Sequence, residues 1–143
     1  MYYSLGILPR EYAILYIRGE TMNTRTIKVN NKDYVFICRS AKNRSGFTHD
    51  CEMQIGIQSF KCHAQYYNRT WECYTYQSVM IGALNDYKDY IERHIKEKFL
   101  TENGYGRMTP SRKVEFEKVI AENPQLKEIA EVRKELDKNS SWW

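Results

Sequence analysis

Between residues 66 and 77 the chain reads Tyr66-Tyr67-Asn68-Arg69-Thr70-Trp71-Glu72-Cys73-Tyr74-Thr75-Tyr76-Gln77, and no other stretch gathers as much recognition chemistry. Four tyrosines, an arginine, an asparagine and the only tryptophan before position 142 fall within it. Aromatic faces cover heteroaromatic rings, and a guanidinium pairs with phosphate through a planar fork or stacks on a base. Asn68 suits a turn, which frees Arg69 and Trp71 to project. Tyr67, Asn68, Arg69 and Trp71 are therefore candidate contacts to a flat, anionic ligand. The competing expectation is structural: Trp71 fills the space between sheet and helix while Arg69 pairs with Glu72.

Two basic loops offer further phosphate contacts, one with Arg39, Lys42 and Arg44, the other with Arg107, Arg112 and Lys113. Gly104-Tyr105-Gly106-Arg107 can let backbone N–H groups approach a phosphate. The same glycine pair also serves as an interhelical hinge, the plainer use of glycine. Arg44, Tyr105 and Arg107 join the ligand-binding candidates.

Catalytic chemistry finds little to work with. Glycine-rich phosphate loops, the H-E-x-x-H pair and the G-x-S-x-G elbow are all absent. His49, His63 and His94 fall in different elements, and no acidic pair stands in an apolar setting. No catalytic residue and no cofactor is assigned, and a non-enzymatic protein is expected. Cysteines stand at positions 38, 51, 62 and 73, in apolar strand phase or at strand ends. A metal held by His49, Cys51, Cys62 and His63 is disfavoured, because C-x-x-C spacing is missing and neighbours 62 and 63 point to opposite faces of a strand. Buried free thiols are the expectation.

The elements that must position these groups follow from periodicity. With 143 residues, 28% of them charged and 42% hydrophobic, the chain has the size and balance of one globular domain. A net charge of +4 is too modest to mark nucleic acid by itself. The 14% aromatic share, twelve tyrosines included, suits a contact surface or an aromatic core. From Thr26 to Tyr67 apolar residues alternate in four runs, which predicts an antiparallel meander over about 26–67 with one wet face. Asn30-Asn31 predicts a hairpin turn, 40–46 a polar loop and Gln58-Ser59 a short turn. On that reading His49, Cys51 and Met53 face the core, while Asp50, Glu52 and His63 face water.

Tyr76, Val79, Met80, Ala83, Leu84, Tyr87, Ile91, Ile95 and Phe99 then recur at helical spacing, predicting a helix over about 76–101, roughly 39 Å long. Such a helix overhangs a four-strand sheet, so part of its apolar stripe needs later helices or another subunit. Thr109-Pro110 and Asn123-Pro124 are cap-and-proline starts for helices over about 110–122 and 124–138. The fold class is α+β: a four-stranded antiparallel meander packed by a long helix, then one or two C-terminal helices.

Residues 1–21 look unlike the rest. Tyr12–Ile17 is apolar but too short to span a bilayer, and no signal-peptide pattern precedes it. Arg18-Gly19-Glu20-Thr21-Met22 back-translates to a purine-rich ribosome-binding sequence ahead of a start codon. The expected domain is therefore 22–143, with 1–21 a translated leader or an accessory edge strand or short helix. A cytoplasmic protein with no membrane partner is expected, and the tail pair Trp142-Trp143 is a candidate for docking on a neighbour.

The string YYNRTWE followed by YTYQSVM, about residues 66–80, resembles a motif of short uncharacterised proteins of Gram-positive phages and mobile elements. There it joins a small antiparallel sheet to a helix. More loosely, the order and size of the elements are similar to those of the Thoeris anti-defense sponges, phage proteins that sequester a cyclic ADP-ribose signal in sites between subunits. The resemblance implies a homo-oligomer that binds a nucleotide-like small molecule, a cyclic ADP-ribose-type or cyclic oligonucleotide signal, without cleaving it. The alternative is a nucleic-acid-binding or anti-CRISPR-type inhibitor acting in the host bacterial cell.

Overall fold

Asn30 and Asn31 take φ of 52° and 63°. Positive φ at both central residues is what a type I′ turn needs, and that turn closes β3 (Glu20–Val29) onto β4 (Lys32–Asn43) with the twist of paired strands. The computed structural model describes residues 2–4, 12–17, 20–43, 46–66 and 76–138, with side chains described for 22–42, 48–65 and 76–138. β5 (Gly46–Ile55) and β6 (Gln58–Tyr66) complete the expected meander. β1 (Tyr2–Ser4) and β2 (Tyr12–Ile17) extend it on the other side, so among the described residues the antiparallel sheet has six strands in sequence order. Within 1–21, β1 and β2 lie beyond β3, which itself begins at Glu20.

Three boundaries differ from the sequence reading, each for a local reason. β3 starts at Glu20 rather than near Thr26, because Asn23 and Arg25, both buried, hold core-facing positions in phase with Ile27. Polar residues there hide the alternation. β4 runs through Asn43, so most of the stretch expected as a loop is strand. The last hairpin turns at Gly56-Ile57, not 58–59, since Gly56 supplies the positive φ of 59° that a two-residue turn demands.

α1 (Tyr76–Asn103), α2 (Pro110–Glu122) and α3 (Pro124–Lys138) follow. Gly104, at φ 86°, ends α1 in the left-handed conformation that favours glycine. Thr109 caps α2, its hydroxyl accepting from the Arg112 N–H at 3.4 Å, with Pro110 in the first turn. The Asn123 side chain accepts from the Leu126 N–H at 3.0 Å and does the same for α3.

α1 and α3 cover the inner face of the sheet. Tyr34, Phe36, Cys38, Cys51 and Met53 are buried there against Met80, Leu84, Val132 and Leu136. Burying each larger side chain is worth about 1.5–3 kcal/mol relative to exposure. α1 lies over β5 and β6 and runs against β6. Tyr76 meets His49 edge-on at 5.5 Å near one end, and Tyr90 accepts from Gln58 at 3.0 Å near the other. Residues 91–103 therefore continue beyond the β5–β6 turn. The expected overhang is real, but it lies along the strands rather than across them. α2 covers part of it, Phe116 meeting the buried Phe99 at 5.5 Å. No residue of α2 is itself buried. α3 returns along β3, where Arg25 donates to the Glu135 carbonyl at 3.1 Å and Gln77 to that of Leu136 at 2.9 Å. Among the described residues no helix is long and apolar enough to cross a membrane.

Candidate functional site

The candidates named from sequence divide into three groups. Tyr67, Asn68, Arg69 and Trp71 lie outside the described residues, as does Arg44, and so do Cys73 and the Trp142-Trp143 pair. Tyr105 and Arg107 are described, exposed, in the turn after α1. That turn is built around a guanidinium: Arg112 donates to the carbonyls of Asn103 at 2.6 Å, Gly104, and Arg107 at 3.2 Å. A Cβ at Gly106 would stand 3.2 Å from Arg112 Nη1, so the glycine gives this arginine room. The carbonyls of the loop face a cation, the opposite of an anion cradle, and the Tyr105 hydroxyl lies 2.9 Å from Thr101 Oγ1. At 1.5 Å per residue the 28 residues of α1 span about 42 Å, which places this turn at the far end of the helix from Tyr76.

Side chains that do converge lie on the outer face of the sheet. Register aligns Met22, Arg39, Asp50 and His63 in one row across β3 to β6. Thr24, Ile37, Glu52 and Lys61 form the next. Ile37, Arg39, Asp50, Glu52, Lys61 and His63 of these rows line a shallow recess of about 290 Å³. Asp50 Oδ1 contacts His63 Nδ1, and among the described residues Nε2 has no partner. A carboxylate on Nδ1 fixes the tautomer and orientation of an imidazole. Arg39 stands across from Asp50 on one side, and Lys61 across from Glu52 on the other. The recess thus offers a guanidinium, an ammonium and an oriented imidazole to an anion, with Ile37 as an apolar strip beside them. Thr48, the outer-face hydroxyl diagonal to His63, donates its proton to the Ala41 carbonyl at 3.4 Å.

The inner face carries a different row. Cys38, Cys51 and Cys62 are directly opposed across three strands and free. A hydrogen bond with Cys38 and then burial push the Cys51 thiol up, and burial chiefly pushes up Cys62, so these are poor nucleophiles. His49 is buried on this face and lowered by desolvation, partly offset by Asp50. Among the described residues no three His, Cys, Asp or Glu side chains gather as metal ligands would.

A larger cleft of about 760 Å³ lies between α1 and α2. Asp86, Asp89, Glu92 and Glu117 outnumber Arg93 and Lys96 around it, with Phe116 and Ile120 below. That charge is of the wrong sign for a phosphate-bearing ligand.

Strand alternation places His63, Asp50 and Glu52 on the wet face but does not join them. Asp50 and His63 are 13 positions apart, and only the register makes them neighbours. The signal available was the Gly56-centred turn, which fixes that register. Compared with protein-family models, curated proteins and solved structures, the chain matches none.

Proposed function

We propose that this chain is a non-enzymatic binding protein of a phage or mobile element, which captures a cyclic nucleotide-type signal in the host cytoplasm and withholds it from host defence. The observation that carries the reading is the outer-face grid, where Arg39, Lys61 and the Asp50-oriented His63 converge on one recess. Arginine and lysine take phosphate oxygens, the imidazole adds a third donor, and Ile37 gives a base an apolar surface. The phage-like motif at 66–80 and the sponge-like order of elements support the biological setting. Arg69 and Trp71, with Asn68, Tyr67 and Arg44, remain proposed contacts, and Tyr105 and Arg107 form a separate group at the end of α1.

Calorimetry against cyclic ADP-ribose-type ligands, cyclic dinucleotides and short duplexes tests this. Binding of a cyclic nucleotide, recovered unchanged on denaturation, is expected. Arg39→Ala or Lys61→Ala should weaken it ~10- to 100-fold, since a hydrogen bond to a charged group contributes about 1.5–3 kcal/mol. Recovery of a cleaved ligand would overturn the non-enzymatic reading. Duplex binding that falls steeply with salt, without nucleotide binding, would favour the nucleic-acid-directed alternative.

A further inference from the structure

The two edges of this sheet are unlike each other. β1 is three residues long, a short edge of the kind that resists further pairing. β6 is nine residues long, holds no proline, and pairs with β5 without a break from Ile55↔Gln58 to Phe47↔Tyr66, so no bulge twists it away. Among the described residues no strand pairs with its far side.

Which groups that edge presents follows from the hairpin. The two-residue Gly56-Ile57 turn makes Ile55 and Gln58 a doubly hydrogen-bonded pair, so even-numbered residues of β6 bond to β5. Ser59, Lys61, His63 and Gln65 then aim their N–H and C=O groups outward. We infer that a second copy of the chain pairs antiparallel along β6 about a two-fold axis at Cys62, continuing the sheet across both subunits and completing the anion site.

Parity and charge select that register. Outward groups must meet outward groups, so odd-numbered residues oppose odd-numbered ones. Centring on Lys61 would set two lysines face to face, which destabilises a pair. Centring on Cys62 overlaps all of β6, opposing Lys61 to the partner's His63 and Ser59 to the partner's Gln65. The outer row then reads Glu52, Lys61, the partner's His63, the partner's Asp50, the partner's Arg39, and each cation has a carboxylate beside or one place beyond it. The helices permit it. Because α1 lies over β5 and β6 alike, the two copies of α1 would stand about 10 Å apart, two strand spacings, as packed helices do. Gly82, which already sits against Cys62, keeps that flank of α1 low.

Pairing changes the recess. In one copy Arg39 and Lys61 are balanced by Asp50 and Glu52, a weak attraction for an anion. Across the axis two lysines and two histidines meet at the centre, with the carboxylates one strand further out. That patch suits a ligand with two phosphate groups, such as a cyclic dinucleotide or a pyrophosphate-bridged ring. The completed site rests on the function proposed above; the edge pairing rests on the sheet alone.

Light scattering on the ligand-free protein should give twice 17.1 kDa. Residue-resolved hydrogen exchange should find the Lys61 and His63 amides protected alongside Cys62 and Ala64. Ser59→Pro and Gln65→Pro each remove an outward N–H without removing a bond to β5, and should raise the dimer dissociation constant at least ~10-fold with circular dichroism unchanged. A monomer overturns the inference. So does a dimer in which the Lys61 and His63 amides exchange as fast as exposed ones, a measurement on the unaltered chain that decides the matter even if a proline variant fails to fold. A protected dimer that binds no nucleotide leaves the pairing standing and removes the proposed ligand.

Discussion

Glu128 is a carboxylate enclosed by the core of this protein, only 7% exposed, on α3 above the β3–β4 hairpin. The Tyr34 hydroxyl donates to it, Asn30 Nδ2 donates at 3.4 Å, and Lys32 Nζ stands 3.6 Å away. Burial, then the hydrogen bond to Glu128 and its negative charge, push the Tyr34 phenol far above its ordinary value. The hydroxyl is thus held as a donor, and α3 is pinned where its apolar face meets the sheet. Tyr34→Phe leaves the ring in place but withdraws the buried donor from a buried charge. Such a loss costs about 1–3 kcal/mol, because the desolvated partner is left short of a hydrogen bond. Urea unfolding should show that loss at unchanged m-value, and Glu128→Gln, which keeps an acceptor, should cost less. A Tyr34→Phe variant as stable as the parent would mean that Lys32 and Asn30 suffice.

At the level of elements, the helices were legible because their ends carry chemistry that acts locally. Thr109-Pro110, Asn123-Pro124 and Gly104 mark boundaries within a few residues of where they act, and Asn30-Asn31 does so for the first hairpin. The start of β3 was not legible. Asn23 and Arg25 are both buried, and Arg25 is held by a contact made late in the chain, with Glu135 more than a hundred positions away. The outer-face site was hidden for a related reason. Within one strand, alternating charged residues read as a solvated face, and their convergence exists only between strands. The close approach of α1 to β6 belongs to the same class. Gly82 looks like a flaw in a helix, since glycine costs about 1 kcal/mol there relative to alanine. A methyl at this position would, however, overlap the Cys62 Sγ. Gly82→Ala should therefore destabilise the protein despite its better helix propensity, and adding Cys62→Ala should recover part of the loss. Thermal unfolding of the single and double variants checks both. A stabilised single variant would show that α1 can lift off β6 freely.

For the molecule as a whole, the titrating groups of the inner face set the pH range over which the fold is firm. His49 has its folded pKa lowered by burial, so its contribution is fully present above the unfolded value of about 6.5 and is lost as pH falls below it. Cys51, Cys62, Tyr34 and Tyr87 have theirs raised, Cys51 first by its hydrogen bond with Cys38 and the others chiefly by burial. Their contribution is present below the unfolded values, about 8.5 for thiols and about 10 for phenols, and is lost as pH rises through the folded ones. Stability should thus form a plateau between about pH 6.5 and 8.5, with separable limbs. His49→Phe, which preserves an edge contact with Tyr76, should flatten the acid limb above the carboxylate range near pH 4. Tyr34→Phe should make the alkaline limb shallower. Calorimetric melting points across the range measure both, and an acid limb of unchanged slope in His49→Phe would assign that proton uptake to groups other than the one buried between β5 and α1.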